Sequence, residues 1–164
     1  MRKINYLIMD IDGTLTDGKI YFGNEGELFK AFNIKDGYGI NHILKEIEIE
    51  PIIITGRSSD IVDKRCRELG IERIYQGSTK KFDVLCSAIG YDKLAECAYI
   101  GDDEPDYLCM MEIKKVGGIV GCPKDAIKKI KEISDFVSGF DAGNGAVREF
   151  IEWLRSMVVD MNCL

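Results

Sequence analysis

A chain of 164 residues, 46% hydrophobic and 30% charged, holds enough apolar mass for one globular core, and a second domain does not fit comfortably. The formal net charge of −6 argues against nucleic acid or an anionic membrane as the main partner, so an anionic ligand would have to meet a local basic patch. Six scattered cysteines (Cys66, Cys86, Cys97, Cys109, Cys122, Cys163) form no C-x-x-C pair and His42 is the one imidazole, a pattern that disfavours zinc and fits small core residues in a reducing compartment.

The first residues lead directly into a strand, and no apolar run approaches the length of a membrane span, so a cytoplasmic protein is expected. Tyr6-Leu7-Ile8-Met9 reads as a strand buried on both faces of a parallel sheet. Its carboxyl end delivers Asp10 and Asp12 and stops at Gly13-Thr14. Aspartates at strand ends often cap the next turn. Two of them spaced i, i+2 leave on the same side, and such crowding is costly unless a cation or a shared proton relieves it. Mg²⁺ is the ordinary solution for an all-oxygen site. Two other motifs are imitated and fail. An EF-hand loop beginning at Asp10 would need glycine where Leu15 stands. A Walker A reading of Gly13 to Gly18-Lys19 would need a hydroxyl at Ile20 and a helix where an alternating strand follows.

Residues 19–22 and 27–32 flank Gly23-Asn24-Glu25-Gly26 and read as a β-hairpin with apolar side chains on both faces. Asp36 stands as the N-cap of a helix running to Glu48, on a stripe of Tyr38, Ile40, Ile43, Leu44 and Ile47. Pro51-Ile52-Ile53-Ile54 is a second buried strand ending at Thr55-Gly56-Arg57; Ser58 or Ser59 caps the next helix, which Gly70 terminates. A short strand over 72–76 precedes a helix over 79–89 whose first turn carries Lys80 and Lys81, cations that oppose the helix dipole and suggest a nearby anion. Ala98-Tyr99-Ile100 is the fourth strand, followed by the acidic loop Gly101-Asp102-Asp103-Glu104-Pro105-Asp106 and a helix through Ile113. Strands at 116–120 and 136–137 and helices at 125–133 and 145–158 complete an α/β, doubly wound parallel sheet. Strand ends thus present Asp10 and Asp12, then Thr55, then Lys81, then Asp102, Asp103 and Asp106, a set suited to Mg²⁺-assisted phosphoryl transfer.

In this order the motifs resemble those of the haloacid dehalogenase superfamily. The resemblance implies Asp10 as a nucleophile forming an aspartyl-phosphate and Asp12 as the acid and base. Thr55 and Lys81 would hold phosphoryl oxygens, with Gly13 and Gly56 beside the substrate. Mg²⁺ would be bound by the Asp10 carboxylate, the Asp12 backbone carbonyl and Asp102, with Asp103 and Asp106 as further ligands or as groups that orient the ligands. Residues 32–40 (FNIKDGYGI), 54–57 (ITGR), 75–77 (YQG) and 143–149 (GNGAVRE) resemble the capless branch that dephosphorylates eight- and nine-carbon sugar acids. Arg57 stands where the nine-carbon enzymes typically show an acidic residue, so the eight-carbon 3-deoxy-D-manno-octulosonate 8-phosphate is expected over a sialic-acid-type 9-phosphate. Of Lys64, Arg65 and Arg67 on one helix, Arg65 is expected to reach the substrate carboxylate, with a solvated helix face as the equal alternative. A receiver-like signalling domain would also take phosphate on aspartate, but it has no counterpart to Asp12.

The segments between motifs are fully used by the hairpin, two helices and two strands, which leaves no cap domain to close the site. The hairpin over 19–32 offers more apolar side chains (Ile20, Phe22, Leu28, Phe29, Phe32) than one sheet face can bury. A homo-oligomer is therefore expected, with hairpins packed together and a neighbour walling each site, and the resemblance to the capless branch implies a tetramer.

Overall fold

The computed structural model describes residues 3–162, with side chains through 158, so Cys163 lies outside the described residues. The elements run β1 (Tyr6–Met9), the hairpin β2 (Tyr21–Gly23) and β3 (Gly26–Phe29), α1 (Ile34–Tyr38), a π-helical turn (Gly39–Ile43) and α2 (Leu44–Glu46). They continue with β4 (Glu50–Ile54), α3 (Asp60–Glu68), β5 (Arg73–Tyr75), α4 (Lys81–Ile89), a 3₁₀ helix (Tyr91–Glu96) and β6 (Cys97–Ile100). The last are α5 (Glu104–Lys115), β7 (Ile119–Cys122), α6 (Lys128–Ile133), β8 (Phe136–Val137) and α7 (Ala146–Asn162).

Six strands form one sheet in the order β5-β4-β1-β6-β7-β8, and every pair in it is parallel. Strand alternation sends Leu7, Met9, Ile53 and Ile100 to one face, where they meet Ile40, Leu44, Val62, Cys66, Phe150 and Leu154 from α2, α3, α7 and the π-helical turn. Ile8, Ile52, Ile54 and Tyr99 go to the other face, against Leu85 of α4, Met110 and Ile113 of α5 and Ile130 of α6. Both faces are covered, so the sheet is doubly wound, and the described residues include no cap domain. Cys66, Cys97, Cys109 and Cys122 are buried free thiols. No helix among the described residues is long and apolar enough to cross a membrane.

Several local expectations shift. Asn33, not Asp36, caps α1, its side chain accepting from Lys35 N at 2.8 Å. Asp36 is buried one turn in, and its Oδ1 accepts from Arg148 N at 2.7 Å, so it caps the start of α7, 112 residues away. Ser59 does occupy the N-cap of α3, but its hydroxyl donates to Glu27 Oε2 at 2.7 Å instead of capping. Because α5 runs on to Lys115, residues 116–118 become its exit and β7 starts only at Ile119. The hairpin forms its own two-stranded sheet. Phe32 packs against the core, whereas Ile20, Phe22, Leu28 and Phe29 are each at least half exposed.

Candidate active site

β1 lies between β4 and β6, and the chain winds outward from it in both directions, which puts the topological switch point at the carboxyl ends of these three strands. Asp10 and Asp12 follow β1, Thr55 follows β4, Asp102 and Asp103 follow β6, and Lys81 is the first residue of α4. Together with Gly56, Arg57 and Pro105 they line an open cleft of about 170 Å³.

The base of the cleft is a buried ionic cluster. Asp106, fully inside, accepts from Lys81 Nζ at 2.8 Å and Tyr99 Oη at 2.7 Å on Oδ1, and from Asp102 N at 3.1 Å and Asp103 N at 3.4 Å on Oδ2. Lys81 also lies 2.9 Å from Asp10 Oδ1. No donor other than that ammonium reaches the buried Asp10 Oδ1. Burial alone would push the Lys81 ammonium down, but the Asp106 and Asp10 carboxylates outweigh it and the group stands above its ordinary value. Burial and the charge of Asp106 push Asp10 up to about 6 despite Lys81. Burial, Asp106 and Asp10 push Asp102 up to about 8, although Thr14 Oγ1 donates to its Oδ1 at 2.9 Å.

Among the described residues, Asp10, Asp102 and Asp106 bring carboxylate oxygens within 4.8 Å of one another. Asp106 already serves four donors and works as an orienting group. Asp10, whose buried Oδ1 is met by the Lys81 ammonium alone, and Asp102, raised by burial and by the neighbouring carboxylates, are the groups that a hard divalent cation would satisfy. The all-oxygen donor set fits Mg²⁺.

Two glycines make this packing geometrically open. A Cβ on Gly13, whose φ is +89°, would fall 2.1 Å from Asp102 Oδ2, and one on Gly101 would fall 2.5 Å from Asp106 Cγ.

Asp12 takes no part in that cluster. Its Oδ1 is bound by the ammonium of Lys30, one residue beyond β3, whose side chain is 1% exposed. Arg57 Nε stands 3.7 Å from Asp12 Oδ2. Glu27 ties the group together, 2.9 Å from Lys30 Nζ and 3.3 Å from Arg57 Nη2. Ser59 and these two cations hold Glu27 below the usual carboxylate range even though burial opposes them. Lys30, Glu27 and Tyr99 were not singled out from the sequence. The one signal was a lysine inside the apolar run of the hairpin.

One expected site residue sits elsewhere. Arg65 pairs with Glu68 at 3.0 Å, lies 5.8 Å from the Phe32 ring centroid, and lines a separate small cavity with Asp36 and Gly37. It is therefore apart from the cleft, because α3 turns that face toward the hairpin exit. Asp103 lines the cleft from an exposed position at the N-cap of α5, its carboxylate accepting from Glu104 N at 2.7 Å and completing a capping box with Asp106.

No protein-family model matches the chain. A relative from Escherichia coli (strain K12), "3-deoxy-D-manno-octulosonate 8-phosphate phosphatase KdsC", is 41% identical over 156 residues, covering 93% of this chain and 79% of its own length. The chain belongs to the 3-deoxy-D-manno-octulosonate 8-phosphate phosphatase family. A crystal structure of the family's member from Moraxella catarrhalis, in complex with magnesium ion, phosphate ion and KDO, superimposes with a TM-score of 0.85 at 39% identity, covering 93% of this chain and 86% of that one. The cobalt-bound form of the family's Haemophilus influenzae enzyme superimposes at 0.81 with 30% identity, covering 94% and 88%. Those relatives hold magnesium and cobalt, and the Asp10–Asp102 oxygen set of this chain suits a hard divalent cation of the same kind.

Proposed function

We propose that this chain hydrolyses 3-deoxy-D-manno-octulosonate 8-phosphate to the free sugar acid and phosphate through an aspartyl-phosphate on Asp10. The observation that carries this reading is the separation of two neighbouring aspartates into different environments. Asp10 faces Lys81 and the metal-type carboxylates, and Asp12 faces Lys30 and Arg57. In the first step an Asp10 oxygen attacks phosphorus, the bond to the sugar oxygen breaks, and Asp12 gives that oxygen its proton. In the second step Asp12 takes a proton from water, the water oxygen attacks phosphorus, and the bond to Asp10 breaks. Thr55 and Lys81 hold the phosphoryl oxygens, with Gly13 and Gly56 giving the backbone close access. Asp10, the Asp12 carbonyl and Asp102 would hold Mg²⁺, which would supply positive charge against the transferring group.

The eight-carbon assignment is supported by the named relatives and by Arg57, 42% exposed at the cleft beside Asp12. The cleft of about 170 Å³ falls below the roughly 300 Å³ of ordinary small-molecule sites. A homotetramer packed through the 19–32 hairpin, whose apolar tips are exposed, supplies the missing wall. The test is a panel of eight- and nine-carbon sugar-acid phosphates compared by kcat/KM with release of free phosphate as the readout. The 8-phosphate is expected to lead. Preference for a 9-phosphate would move the substrate, and phosphorylation without turnover would indicate a receiver-like domain instead.

A further inference from the structure

We propose that Lys30 is the positioning residue for Asp12, and that the hairpin exists in part to deliver it. The inference rests on the phosphatase reading of Asp10 and Asp12 and names a group outside the family-type motif set. Two carboxylates two residues apart at one strand end face the same crowding, and the structure resolves it with two buried lysines. Lys81 stands on Asp10 and is shared with Asp106; Lys30 stands on Asp12 and is shared with Glu27. A lysine side chain 1% exposed has been taken almost wholly out of water, which is tolerated only where anions receive it.

The consequence for Asp12 is an allocation of its two oxygens. Oδ1 is occupied by Lys30, and Oδ2 faces Arg57 at the cleft, 3.7 Å from Nε. Held by Oδ1, the carboxyl group is drawn away from the Asp10–Asp102–Asp106 cluster, which does not include it. A proton handed from Oδ2 to the leaving oxygen then leaves behind a carboxylate already paired with a cation. Lys30 thus acts on proton delivery through Asp12 and touches neither the Asp10 nucleophile nor Asp102.

The experiment uses the full chain with Mg²⁺ and two substrates, the sugar-acid 8-phosphate and p-nitrophenyl phosphate. Because kcat/KM reports only steps through the first bond cleavage, it isolates phosphoryl transfer to Asp10. An alkoxide leaving group needs the proton, whereas nitrophenolate departs largely without it. Lys30→Met is expected to lower kcat/KM on the sugar-acid phosphate by about 10- to 100-fold and on the aryl phosphate by less than about 3-fold. The Mg²⁺ titration midpoint stays in place, and Lys30→Arg, which keeps a cation in the slot, recovers part of the loss. Lys30→Gln keeps most of the volume and one donor, and is read in the same way where Lys30→Met does not fold. Equal losses on both substrates, or no loss on either, would overturn the proposal. Failure of the underlying reading looks different: wild-type protein would release no phosphate from either ester, or Asp12→Asn would keep wild-type rates on both.

Discussion

Asp106→Asn separates an orienting role from a metal-ligand role for the most deeply buried carboxylate of the site. The native carboxylate accepts from four donors, the Lys81 ammonium, the Tyr99 hydroxyl and the amides of Asp102 and Asp103. An asparagine of the same shape keeps one acceptor oxygen and turns an NH₂ toward the donors on the other side. Two donors then lose their acceptor, at about 1–3 kcal/mol each, for a total of about 2–6 kcal/mol. For a chain of this size that corresponds to a fall in Tm of about 5–20 °C. The opposing effect is relief of crowding, since the charge of Asp106 helps to raise both Asp10 and Asp102. Were Asp106 mainly a metal ligand, removing its charge would stabilise the metal-free protein. Thermal unfolding by circular dichroism in excess chelator decides between them. A Tm in chelator equal to or above that of wild type would refute the reasoning, because the lost hydrogen bonds would then be worth less than the repulsion removed.

Asp10→Asn and Asp12→Asn are each expected to lower turnover about 10³-fold or more with the fold intact, measured as phosphate release alongside circular dichroism; near-normal activity in Asp12→Asn would exclude the two-step proton relay. In metal-free protein Asp102 is raised to about 8, so its folded form holds a proton that the unfolded chain gives up near pH 4. The stability it contributes is present below that lower value and is lost as pH rises through about 8, while Mg²⁺ requires the ionised form. The Tm increment on adding Mg²⁺ should therefore grow from pH 6 to pH 8.5, and an increment that shrinks would count against Asp102 as a ligand. Phe22→Asp with Phe29→Asp charges a hairpin whose residues are 72% and 51% exposed, and sedimentation equilibrium should show the proposed homotetramer of the wild type and a smaller species for the variant. A monomeric wild type would remove the hairpin interface.

The doubly wound sheet and the order of its strand-end groups were legible in the sequence because both depend on short-range features. An apolar run of strand length followed by Asp10-x-Asp12-Gly13, or by Gly101-Asp102, places its acids at a carboxyl edge whatever the rest of the chain does. Which cation meets which carboxylate was not legible. Lys30 reaches Asp12 only once a hairpin folds back across 18 residues, and long flexible side chains carry no local pattern that names their partner. The same holds for Asp36, whose spacing near a helix start suggested a local cap, while packing of α7 offered it unpaired amides 112 residues away. Arg65 carried a suitable charge on a suitable element, yet the packing of α3 turned it to Glu68 and the Phe32 ring. Sequence by itself determined the fold class and the kinds of chemical group at the strand ends, since periodicity and motif spacing act locally. Only the tertiary structure decided how two adjacent aspartates came to differ, because that depends on which buried lysine the closed fold brings to each.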